Sequence, residues 1–252
     1  MKITKLGILS SAVCCPQLIA HCSSILFAAF VGIVVLTPRT SIGMEFMGLG
    51  DLPGGEFNSR VFDMTPDGTF VVGSSFSEFG QEAYVWSVQG GFQALGDLPG
   101  GIYRSQAFGI SDDGLTVVGV AHPENANDEA FRWTIDTGMV GLGDFAGGSF
   151  SSIAYDISAD GTVVIGQGND GSSSGGGGPA FRWTEETGMV SLGSLPGGDG
   201  YSAAFGVSAD GTVVVGNSRS AAGGEAFRWT DADDMVRLRT GFRRGSRATS
   251  IL

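Results

Sequence analysis

A loop that recurs four times limits this chain more than any other feature. Leu49-Gly-Asp-Leu-Pro-Gly-Gly55 returns as Leu95–Gly101, as Leu142-Gly-Asp-Phe-Ala-Gly-Gly148 and as Leu192-Gly-Ser-Leu-Pro-Gly-Gly198. Two further elements keep step with it. Thr65-Pro-Asp-Gly68 recurs as Ser111-Asp-Asp-Gly114, Ser158-Ala-Asp-Gly161 and Ser208-Ala-Asp-Gly211, and a tryptophan falls at Trp86, Trp133, Trp183 and Trp229. Three elements in fixed order, at a period of about 46–50 residues, mark a repeat architecture in the size range of propeller blades.

The third repeat shows what one unit contains. Ala154–Ser158 is a short β-compatible run, followed by the turn Ala159-Asp160-Gly161, where Asp-Gly supplies the positive φ of a tight hairpin. Thr162–Gly166 is a β-branched run suited to a strand covered on both faces. Ala180–Thr184 alternates, with Phe181 and Trp183 on one side and Arg182 on the other. After Glu185–Gly188 turns the chain, Met189–Gly193 makes a fourth strand. No stretch after residue 43 carries a helix-period apolar stripe. The expected fold is all-β, a β-propeller-like array of four four-stranded repeats that bury their faces against one another.

The ends of the array bear on closure. The fourth-strand sequence occurs five times, as Glu45–Leu49, Phe92–Leu95, Met139–Leu142, Met189–Leu192 and Met235–Leu238. A surplus strand could close a ring. Beyond Leu238, however, the chain becomes basic and aperiodic, which favours an incompletely closed array and a truncated or frame-altered C-terminus. An open blade edge would expose unpaired N–H and C=O groups and invite self-association.

Composition narrows the function classes. From Met44 onward there are 11 Arg against 26 Asp plus Glu, a balance of −15. Five of the arginines fall at Arg237, Arg239, Arg243, Arg244 and Arg247, so the repeats themselves are more acidic still. A field of that sign repels phosphate backbones, and no nucleic-acid partner is expected. Cys14, Cys15 and Cys22 all precede the repeats, leaving no disulfide or thiolate-metal framework for them. Residues 1–43 read as an export signal. Lys2 and Lys5 give a positive start, Ile25–Thr37 an apolar run, and Ser41-Ile42-Gly43 small residues for cleavage. An uncleaved N-terminal anchor is the alternative, and the only route to a membrane. The domains expected are a leader at 1–43, repeats at 44–238 and a tail at 239–252.

The composite unit reads [E/P]-A-[F/Y]-x-W-[T/S], then G-M-V-x-L-G-x-L-P-G-G, then A-x-x-[I/V]-S-x-D-G-x-x-V-V-G. It resembles the HAF family of extracellular repeats in bacterial exported proteins, from about Met44 to Leu238. The family's His-Ala-Phe is here Glu82-Ala-Tyr84, Glu129-Ala-Phe131, Pro179-Ala-Phe181 and Glu225-Ala-Phe227, so no role of that histidine carries over. The resemblance implies export and a repeat scaffold. It brings no activity with it.

Candidate chemistry is sparse. Asp67, Asp113, Asp160 and Asp210 could ligate calcium, but each precedes a glycine (Gly68, Gly114, Gly161, Gly211) in a turn that favours Asp for local hydrogen bonds. Asp51, Asp97 and Asp144 could line a cation site on one rim, with a solvated turn as the plainer reading; Ser194 breaks the series. Arg132, Arg182 and Arg228 could form an anion-binding ring, with Tyr155, Tyr201 and Glu129 as partners in a sialidase-like site. Their repetition argues instead for stems packed on the sheet. The tryptophans are expected in packing between blades. The Gly-rich stretch Gly175–Gly178 lacks the Lys of a phosphate loop and reads as an insertion. No cofactor and no catalytic constellation are expected. The function expected is a noncatalytic surface or extracellular module that binds a protein or glycan, with a propeller hydrolase acting on extracellular carbohydrate as the alternative.

Overall fold

A computed structural model describes residues 47–123, 127–173 and 177–238. The expected leader and tail, Glu45 and the middle of the Gly-rich insertion lie outside these residues. Gly48–Leu252 forms a unit separate from Met1–Met47, and all the strands belong to it.

Each repeat makes one antiparallel sheet whose strands lie in chain order. The first holds β1 (Gly54–Met64), β2 (Phe70–Ser77), β3 (Gln81–Ser87) and β4 (Gly91–Gly96). The second holds β5 (Ser105–Ile110), β6 (Thr116–Ala121), β7 (Glu129–Thr134) and β8 (Gly138–Gly141). The third holds β9 (Ile153–Ile157), β10 (Val164–Gln167), β11 (Ala180–Thr184) and β12 (Gly188–Ser191). The fourth holds β13 (Ser202–Val207), β14 (Val214–Ser220), β15 (Gly223–Thr230) and β16 (Asp234–Arg237). No helix occurs among the described residues.

The second strand of every sheet carries a glycine for a steric reason. A Cβ at Gly119 would fall 1.9 Å from the Gln106 carbonyl oxygen, and at Gly166 2.0 Å from that of Ile153. The vacated space takes the aromatic ring of the third strand, Phe131 or Phe181, both fully buried. In the first sheet that ring is Tyr84, whose hydroxyl donates to the Arg60 carbonyl at 3.0 Å. Burial pushes its pKa up to about 12.

Sheets pack on their chain neighbours, β5 against β2, β9 against β6 and β13 against β10. Three apolar clusters result. Trp133 joins Val72 and Val85 between the first two sheets, Trp183 packs on Val118 and Ala130 between the next two, and Trp229 joins Ile165 between the last two. Trp86, in the first of the described sheets, belongs to none of them.

Among the described residues the first and fourth sheets do not pack on one another as consecutive sheets do, β1 is exposed along almost its whole length, and the array is open. Met47–Gly50 is not a strand, so the surplus copy of the fourth-strand sequence closes nothing there. The segment is tied to its own sheet instead: Ser59 Oγ donates to the Gly50 carbonyl (2.8 Å) and the Leu52 N–H to Ser75 Oγ (3.1 Å). The second strand of the third sheet starts at Val164 rather than Thr162; the Thr162 N–H and hydroxyl bond to Asp160 and the Val163 N–H to Ser158.

Candidate binding site: an aromatic row on bulged strands

The repeated turn aspartates are absorbed in their own hairpins. Asp160 Oδ1 accepts from Ser158 Oγ (2.7 Å), Thr162 N (3.0 Å) and Thr162 Oγ1 (2.8 Å). Asp210 and Asp67 make the same three kinds of bond, and Asp113 two of them. The glycines after them all sit near φ +70°, at 71°, 73°, 71° and 70° for Gly68, Gly114, Gly161 and Gly211, where a side chain would be strained. The hydroxyls of Thr69 and Thr65 hold the Asp67 carboxyl at a pKa of about 2. Asp160 and Asp210 are lowered by the same kind of bond, from Ser158 and Ser208 first.

The loop aspartates brace rather than gather. Asp51 accepts from the N–H groups of Leu52 and Asn58, Asp97 from those of Leu98 and Arg104, and Asp144 from those of Ser151 and Asn169. Among the described residues no group of three or more His, Cys, Asp or Glu side chains is placed to hold a metal. The arginines divide too. Arg132 and Arg182 line a recess of about 420 Å³ between the second and third sheets, together with Asp160, Glu185 and Glu186. Arg228 pairs with Asp233 at 3.3 Å. Tyr155, Tyr201 and Glu129 do not line that recess. Tyr201 lies under Arg219, and Glu129 accepts the Gly143 N–H.

Of the row of rings that the structure does bring together, only Tyr155 was singled out in the sequence, and for another role. In each first strand the pairing slips by one residue, and the residue skipped is Phe62, Phe108, Tyr155 or Phe205. A bulge re-aims the extra side chain out of the alternation. Four such bulges, one per sheet, produce a continuous row of rings. Phe62 and Phe108 meet edge to face at 5.0 Å, Phe108 and Tyr155 stack at 6.1 Å, and Tyr155 and Phe205 lie 5.1 Å apart. Phe62 and Phe205 are 43% and 49% exposed.

Polar groups flank the row. A recess of about 260 Å³ opens beside Phe108 and Tyr155, lined by Arg104, Gln106, His122 and Asp128. His122 Nε2 lies 2.8 Å from Asp128 Oδ1 and 3.2 Å from Arg104 NH1. Only one of these can be a bond through that nitrogen at a time: a proton on Nε2 serves the carboxylate and leaves no lone pair for the guanidinium. Burial pushes the Tyr155 phenol up, with Tyr201 and Asp128 adding to the effect. The residue after each bulge alternates as Asp63, Gly109, Asp156, Gly206. Asp63 accepts the Ile110 N–H of the next sheet at 3.1 Å, and Asp156 the Val207 N–H at 2.9 Å. Burial raises the Asp156 carboxyl, opposed by its backbone bonds to Val207 and Ile157.

A second device holds the sheets in register. Ser105, Ser152 and Ser202, all buried, donate to the carbonyls of Gly96, Gly143 and Gly193 and accept the N–H of Ala83, Ala130 and Ala180 in the preceding sheet. The signal was present: a serine stands eight residues after Asp51, Asp97, Asp144 and Ser194.

Fold and site together define an open β-propeller-like array with an aromatic row along its first strands. No protein-family model matches the chain, and no curated protein matches it. A TolB from Acinetobacter baumannii is similar in fold at a TM-score of 0.50 and 17% identity, over 72% of this chain and 44% of that one. A TolB from Agrobacterium tumefaciens gives 0.49 at 18% identity, over 70% and 63%. A prolyl endopeptidase structure gives 0.47 at 12%, over 73% and 29%. The chain spans less than two thirds of the length of any of the three. At such identities the likeness concerns the fold alone.

Proposed function

We propose that this is a noncatalytic binding module, exported as the HAF-like repeat implies, that holds a neutral extracellular polysaccharide along the aromatic row. The observation that carries this reading is the row itself, four rings delivered by four bulges. Ring faces supply apolar surface for the C–H faces of sugars. Arg104, Gln106, His122 and Asp128 beside the row supply the few convergent polar groups that orient a ligand. The acidic repeats disfavour polyanions.

The test is affinity electrophoresis of the full chain in gels cast with starch, xylan or mixed-linkage glucan. Retardation in one of them, weakened at least tenfold by Phe108→Ala or Tyr155→Ala, is expected, with no reducing ends released. Unchanged mobility in all three gels would remove the proposal. Release of reducing ends would replace it with the hydrolase reading.

A further inference from the structure

The two ends of the array carry faces that the interior of the chain shows how to cover. Val61 and Met64 on β1 correspond to Ala107 and Ile110 on β5, and to Ala154 and Ile157 on β9. Both alanines are at 0% exposure and both isoleucines at 6%, whereas Val61 is 53% and Met64 59% exposed. At the opposite end Val215 on β14 is 41% exposed, where its counterparts Val72, Val118 and Ile165 are at 0%.

Polar groups at the two ends match as well. The alanine just before the buried ring of each third strand donates to a serine of the following sheet, except Ala226, which is exposed and has no following sheet among the described residues. Ser59 is the complement: exposed, already donating to Gly50, with no preceding sheet among the described residues to donate to it. The turns repeat the pattern. The Asp112 N–H donates to the Ala159 carbonyl (3.0 Å) and the Ala159 N–H to that of Ala209 (3.1 Å). Among the described residues the Ala209 N–H has no such acceptor, and the carbonyl of Pro66, the first residue of that series, has no preceding sheet to donate to it. The alternation after the bulges also runs on in phase. Gly206 followed by a new Asp63 reproduces the junction of Gly109 with Asp156, in which the Asp caps the next N–H of its own strand; Asp63 already does so to Met64 at 2.8 Å, as Asp156 does to Ile157.

We propose that a second copy of this chain docks head to tail, its first sheet stacking on the fourth sheet of the other copy through the interface that already joins consecutive sheets within the chain. The contact is heterologous, so each copy keeps one face for a further neighbour, and repetition yields a ring or a filament. The net charge of −12 opposes association, and added salt strengthens it by screening.

Sedimentation velocity on the full chain from about 1 to about 100 µM tests this, since mass action must raise the mean mass with concentration. Wild type is expected to grow with concentration and with salt. Val61→Asp blocks the head and Val215→Asp the tail, so each alone is monomeric, while their equimolar mixture forms a 1:1 dimer that grows no further. Circular dichroism melts matching wild type confirm that both variants fold. Ser59→Arg and Asn217→Arg, at exposed positions of the same two faces, replace them if they do not. A wild type that stays monomeric across the range, as it would if its own terminal segments covered the faces, overturns the proposal. So does a mixture of folded variants that stays monomeric, or a pair of variants that each associate like wild type.

Discussion

Ser105 shows how much one small side chain can hold. Its hydroxyl donates to Gly96 at 2.6 Å and accepts from Ala83 at 2.9 Å, fully buried between two sheets. Replacement by Ala removes little volume but leaves a buried N–H and a half-buried carbonyl without this partner, the N–H with a full desolvation penalty. Ser105→Ala is expected to cost about 1–3 kcal/mol by denaturant unfolding, the range for one unsatisfied buried group. Ser59→Ala, at the exposed first copy of the same position, is expected to cost under about 0.5 kcal/mol. Equal costs at the two positions would refute the clasp.

At the scale of the element, the hairpin after each first strand is a charge-assisted turn. Asp67 bonds two threonine hydroxyls and one N–H, and its folded pKa of about 2 lies below the ordinary value of 3.8. A lowered carboxyl stabilises the fold above its ordinary pKa and loses that contribution as pH falls through the folded one. The denaturant midpoint of wild type should therefore exceed that of Asp67→Asn by its full margin above pH ~4, the gap shrinking as pH approaches ~2. A gap that stays constant from pH ~5 to pH ~2 would mean the carboxylate charge plays no part. The bulges belong to this scale too: the residue they displace is aromatic in all four sheets, so one local irregularity, repeated, builds the row.

The array of four sheets is quasi-one-dimensional, each sheet stabilised by itself and by its neighbours. The second and third sheets have two neighbours, the first and fourth one each. Hydrogen exchange at low concentration and low salt should find β6 and β10 protected longest, and β1 and β14 opening first, since local opening follows the loss of buried contacts. Raising concentration or salt should selectively slow exchange in β1 and β14, because those strands carry the two bare faces. Uniform protection at all concentrations would point to ends already covered.

The sequence by itself determined the repeating unit: four strands, a turn led by Asp-Gly, a Trp and a Val-Val-Gly strand, because each rests on local chemistry that recurs in register. Turn residues reveal their φ requirement, and β-branched runs their burial, without reference to anything distant. The candidate site was largely illegible. Phe62, Phe108, Tyr155 and Phe205 occupy ordinary strand positions, and only the one-residue slip in pairing with the next strand turns them into a row; register is a property of two strands, not one. Tertiary structure alone also decided which faces stay bare. Val61 and Ala107 look interchangeable in the sequence, yet one is exposed and the other sealed, because burial depends on whether another sheet stands beside the strand.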